Sequence, residues 1–186
     1  MAVRQPADAM TQILKKFCKD RRGVAAVEFA LIAPVMVLLY SGLVELTQAV
    51  IAERKANHVA SAIGDLVTQA DTVTSSDLSD IFTIGNTIMS PFPTTSLQMR
   101  VTSITADVNG TPKVDWSHSS GSMTPMTVGS TVTVPLTLAA GDSVVEADSS
   151  YQYTSVLQYV LPNVLNYNEK YYLRPRRSDK VTCTGC

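Results

Sequence analysis

Few side chains in this 186-residue chain stand at spacings that could do chemistry, and most of those sets point away from catalysis. A zinc site needs three or four His, Cys or carboxylate ligands at short spacing, and His58 and His118 have no ligand-spaced neighbours. Asp71, Asp77 and Asp80 lack the glycine and closing glutamate of a calcium loop, and read instead as helix-capping acids. No serine lies in a nucleophile-elbow pattern or beside an evident base. Cys183 and Cys186, in "CTGC", are spaced for a disulfide. A structural clip or a bond within the tail is the better reading, and a redox or metal role the alternative. Arg174, Arg176 and Arg177 fit a solvated or acid-paired loop better than a binding site. The chain therefore reads as a non-enzyme with no cofactor, no metal and no small-molecule substrate. Having no basic stripe interleaved with aromatics, it also reads as binding no nucleic acid.

The costly residue is Glu28. It lies five residues into "GVAAVEFALIAPVMVLLYSGLVELTQAV", a stretch apolar enough to enter a membrane, where a carboxylate costs at least ~2.5 kcal/mol. The composition, 45% hydrophobic and 17% charged, leans toward membrane proteins. The net charge of −1 hides an asymmetry. Residues 1–23 hold Arg4, Lys15, Lys16, Lys19, Arg21 and Arg22 against Asp8 and Asp20, whereas residues 24–52 carry only Glu28 and Glu45. That is a basic head followed by a span. At ~1.5 Å per residue the span reaches about 43 Å, more than the roughly 30 Å of hydrocarbon it must cross. The basic flank keeps the N-terminus cytoplasmic and sends the rest outward. Cys18 then lies across the membrane from Cys183 and Cys186, whose oxidising side favours a disulfide.

Four regions follow: a basic leader (1–23), a transmembrane helix (24–52), an exterior helical extension (53–70) and an exterior domain (71–186). In the third, Ala49, Ala52, Ala56, Val59, Ile63, Leu66 and Ala70 fall at alternating steps of three and four, the seam of a packed helix. Extended backward, the same steps pass through Glu45 and Glu28, on a helix of about 70 Å. Pro34 removes one backbone donor and invites a local kink or melt. Ala26, Ala30 and Ala33 form a small-residue stripe that permits close helix approach. Beyond the helix, Thr74 or Ser75 is the expected N-cap of a short helix carrying Leu78, Ile81, Phe82, Ile88 and Met89, stopped by Pro91 and Pro93. Residues 97–119 alternate and turn at Asn109-Gly110, a hairpin signal. "STVTVPLTL", "DSVVEADSSYQYTSVL" and "NEKYYL" are further strand candidates. The expected class is α+β: a long N-terminal transmembrane helix extended into a small exterior domain with a mainly antiparallel sheet.

"GVAAVEF" resembles the type III signal of type IV-like prepilins, cut by a prepilin peptidase after Gly with Glu fifth in the mature chain. Here the cut falls between Gly23 and Val24, with Glu28 fifth and Phe29 sixth. The combination of Gly23, Glu28, Phe29, Pro34, Gly42 and Glu45 is similar to the TadE-like minor pilins, or pseudopilins, of tight-adherence (Tad/Flp) pili. "YYLRPRR" and the terminal cysteine resemble that family more loosely. Phe29, where major pilins of this system carry tyrosine, points to the minor branch.

The resemblance implies a non-enzymatic pilus-assembly subunit, held in the bacterial inner membrane with its C-terminal domain periplasmic, or carried into the adhesive pilus. It implies a prepilin peptidase, other pilin and pilus-assembly subunits and the lipid bilayer as partners. It further implies that Glu28 pairs with the Val24 amine of a neighbour, with Phe29 beside it; the alternative is a glutamate that reaches back to the cytoplasmic interface, about one turn away. For Glu45 two placements stay open, the outer interface and a subunit pairing. The competing reading is an uncleaved single-pass envelope anchor carrying an extracytoplasmic binding domain.

Overall fold

The computed structural model describes residues 23–155, 158 and 164–186. The leader expected at 1–23 lies outside them except for Gly23. The chain divides into two compact units, Met1–Val44 and Glu45–Cys186.

One helix, α1, runs over Val24–Thr68. Pro34 does not break it. In the first unit nearly every described side chain of α1 is exposed, apolar ones included. An exposed apolar helix of this length meets the length and composition requirements of a membrane span.

The second unit begins with the rest of α1 and adds β1 (Thr72–Thr74), α2 (Ser75–Met89), β2 (Leu97–Ala106), β3 (Pro112–Ser120), β4 (Ser143–Tyr153), β5 (Leu165–Leu173) and β6 (Thr182–Thr184). The fold is α+β, with a long apolar helix leading into a domain whose main sheet is antiparallel. That sheet has the order β3-β2-β4-β5, while β1 and β6 form a separate parallel pair.

The buried face of α1 is Ala49, Ala52, Ala56, Val59, Ala60, Ile63, Gly64, Val67 and Thr68. The expected seam holds as far as Ile63. It then passes from Leu66 and Ala70, both half-buried, to Val67. A straight helix drifts about 20° per heptad against a 3.5-residue repeat, so a seam read in threes and fours rotates off its face within two heptads. Small residues let the sheet come close: a side-chain carbon on Gly64 would lie 2.9 Å from Ala147 Cβ and 2.7 Å from Leu173 Cδ1.

Helix α2 starts with a full capping box. Thr74 Oγ1 accepts from the Asp77 N–H at 3.2 Å, and the Thr74 N–H donates to Asp77 Oδ2 at 2.8 Å. The Thr74 hydroxyl also donates to Asp77 Oδ2 at 2.8 Å, and this bond first, then the one from the Thr74 N–H, holds the exposed Asp77 carboxyl below its ordinary range. Leu78, Phe82, Gly85 and Met89 bury its inner face. The β2–β3 hairpin turns at 107–110, where Asp107 Oδ1 accepts from the N–H groups of Asn109 and Thr111, and Gly110 takes φ +77°.

"STVTVPLTL" departs from expectation, forming no strand and touching β3 at a single bridge, Lys113 to Thr131. Pro135 has no N–H to give a ladder. Its alternation serves packing instead: Val132, Val134 and Leu138 cover Ile104, Ala106 and Val144 on the outer face of the sheet.

Candidate functional site

The residues expected to act in processing and assembly stand at the start of α1. Gly23 is exposed, and a side-chain carbon there would meet nothing within 4 Å; it lies outside the left-handed region. The chain's own folding thus makes no demand for glycine at this position. Val24 opens the helix, and Glu28 and Phe29 follow on its first turns, both exposed. Ala26 and Ala30 are exposed and Ala33 is half-buried, so the small-residue stripe presents little side chain. An exposed carboxylate on an apolar helix leaves its lone pairs open to a cationic donor, and the adjacent alanines leave room for an approaching helix.

Glu45 stands differently, at 3% exposed inside the second unit. It lies near Tyr153, whose hydroxyl is pushed up first by burial and then by the Glu45 charge. Further along, the helix is held to the sheet by polar bonds. Ser149 Oγ donates to the Ala56 carbonyl at 2.7 Å, Tyr167 Oη to the Ala49 carbonyl at 3.1 Å and Tyr171 Oη to Asn57 Oδ1 at 2.7 Å. These contacts order α1 parallel to β5, since Ala49 meets Tyr167, Asn57 meets Tyr171 and Gly64 meets Leu173.

Cys183 and Cys186 are joined in a disulfide, with Cα atoms 5.9 Å apart. Cys183 pairs with Val73 in the β1–β6 ladder and packs on the core, while Cys186 is exposed. Of the arginine cluster, Arg174 pairs with Asp142 at 3.2 Å, Arg176 with Asp65, and Arg177 is exposed. His58 is exposed, and His118 stacks on Phe82 with ring centres 5.9 Å apart. Among the described residues no group of three or more His, Cys, Asp or Glu is placed to hold a metal ion.

One polar constellation escapes a reading by motif. On the outer face of the sheet, Asp148 of β4 is flanked across the strands by Arg100 of β2 and Lys170 of β5. Arg100 Nε donates to Asp148 Oδ2 at 2.8 Å, and its Nη2 donates to the same oxygen. Lys170 Nζ donates to Glu146 Oε1 at 2.9 Å and stands 3.4 Å from Asp148 Oδ1, which has no hydrogen bond of its own. Both carboxylates are buried. For Lys170, burial lowers the pKa, but the bond to Glu146 and the charges of Asp148 and Glu146 outweigh it, leaving the ammonium above its ordinary value. Its stabilising contribution is therefore complete at neutral pH and lost only as pH rises through that raised value. Glu146 and Asp148 at i and i+2 signal a shared strand face; their partners are visible only once the register is known.

Residues 23–64 match the family model described as TadE-like protein, the family that the Gly23-to-Glu28 pattern resembles. No curated protein and no solved structure matches the chain.

Proposed function

We propose that the chain is a minor pilin, or pseudopilin, of a tight-adherence pilus, anchored in the inner membrane by α1 with its C-terminal domain on the periplasmic side. In this reading a prepilin peptidase cuts it between Gly23 and Val24, and it acts without catalysis through packing of its first helix against other pilin subunits. The observation that carries this is the match of residues 23–64 to the TadE-like family together with the placement of Gly23. This glycine is one the fold does not need, directly before an exposed apolar helix whose fifth residue is an exposed glutamate. Mass analysis of the protein from cells with an active prepilin peptidase tests it: Val24 is the expected first residue, and retained Met1 overturns the reading in favour of the uncleaved anchor.

Glu28 is the proposed docking group. Cutting frees the Val24 amine, and a neighbour's ammonium gives a carboxylate in hydrocarbon a partner that offsets its desolvation. Glu45 serves the packing of its own domain, where it is already covered. For Glu28→Ala we expect normal cutting and a large fall in the amount of subunit recovered with sheared pili. Unchanged recovery would move docking away from Glu28.

A further inference from the structure

Between Glu28 and Glu53, α1 carries a single charged residue, Glu45, and the second unit buries it. The helix therefore presents no exposed charge over 25 residue steps, about 37 Å of rise against roughly 30 Å of hydrocarbon. The exterior domain begins at Glu45, before that stretch ends. Over residues 45–52 the helix is two-sided. Glu45, Ala49 and Ala52 are buried by the domain, while Leu46, Val50 and Ile51 remain 51%, 39% and 39% exposed. Strand β5 runs parallel to α1 with Tyr167 level with Ala49, so Val164, which precedes β5 and is 47% exposed, stands further toward the N-terminal end of the helix. Four large apolar side chains thus lie uncovered at one end of the domain, three on the helix and Val164 beside it, just before β5.

We infer that this end of the domain is a lipid-contact surface, seated in the outer headgroup layer with Leu46, Val50, Ile51 and Val164 at the acyl boundary. The inference rests on α1 crossing the membrane. The arithmetic favours lipid as the occupant. A span entered near Val24 uses about 20 residues for the hydrocarbon and leaves 44–51 in the interfacial layer, where apolar side chains gain from burial. The first exposed charges, Glu53 and Arg54, then fall beyond it. The same placement accounts for Glu45: a carboxylate at that depth is costly facing lipid, and the domain encloses it.

The test places an environment-sensitive fluorophore on a single cysteine in the full chain, in a Cys18→Ser background with the native Cys183–Cys186 disulfide kept. The chain is reconstituted in phosphatidylcholine vesicles containing headgroup-quencher or acyl-brominated lipid. Labels at Val50→Cys and Val164→Cys should be quenched several-fold more than one at Val108→Cys, on the exposed hairpin tip. A label at Leu38→Cys reports the span itself, and its failure to be quenched by brominated lipid would sink the anchor reading. Quenching at Leu38 with Val50 and Val164 no different from Val108 would overturn the lipid contact alone. Labels at 50 and 164 shielded from both lipid and aqueous quenchers would also overturn it, by showing a second protein copy on this surface.

Discussion

Gly23→Val is expected to leave the protein at full length in cells where, on the proposed reading, the wild-type chain is shortened to begin at Val24. The substitution isolates recognition from folding. Gly23 is exposed, precedes the helix, has an ordinary backbone conformation and has open space where a side chain would go, so a valine disturbs no contact of the chain itself. What it obstructs is close approach by another protein to the peptide bond, which glycine allows because it lacks Cβ. The expected result is loss of processing, read as a single full-length band and an intact mass containing Met1, with unchanged helical circular dichroism in detergent. A chain still cut after residue 23 at the wild-type rate would show that the glycine is not what the peptidase reads. Paired with Glu28→Ala, which should be cut but not incorporated, the variant separates the two roles proposed for residues five positions apart.

Arg100→Met should cost about 3–5 kcal/mol of stability, because removing one partner of a buried ion pair leaves a carboxylate desolvated without compensation. Two features of the structure place it high. The Arg100 side chain is 17% exposed, against 50% for Lys170, so solvent screens the Arg100 pair less. Arg100 also gives two donors to one Asp148 oxygen, leaving Oδ1 with only the more distant lysine. A fall in the denaturant midpoint of the detergent-solubilised protein measures the loss. Lys170→Met should lose less, and Arg100→Lys should fall between, since an ammonium restores the charge but not the planar fork. A midpoint for Arg100→Met within error of wild type would show that the carboxylates reach water or accept protons at little cost. Combining Arg100→Met with Asp148→Leu should recover part of the loss, because an apolar pair carries no unpaired charge.

The main features legible in the sequence were those that depend on neighbours along the chain. The apolar run of 24–52 needs only composition and length. The Thr74 cap needs Asp77 three residues on, and the hairpin needs Asp107 beside Asn109-Gly110. The outer seam of α1 was readable to Ile63 because helical periodicity is local, and it slipped afterward because the repeat is not an exact divisor of the helical turn. "STVTVPLTL" misled for a related reason. Alternation marks a side-chain pattern that packing can use without a ladder, and a strand requires a partner with free backbone groups.

By itself the sequence determined the basic head and the apolar stretch after it, the spacing of Gly23 to Glu28 and the class of the C-terminal domain, since each rests on residues within a few turns of one another. Only the tertiary structure showed that Glu45 is enclosed by its own domain, because spacing along a helix does not tell which face the rest of the chain covers. It likewise decided that Arg100 meets Asp148 across 48 residues and that β6 returns to lie beside β1, with Thr182 bonded to Thr72 across 110. A strand's register and a chain's return path are fixed by burial summed over the whole domain, and no short stretch carries that sum.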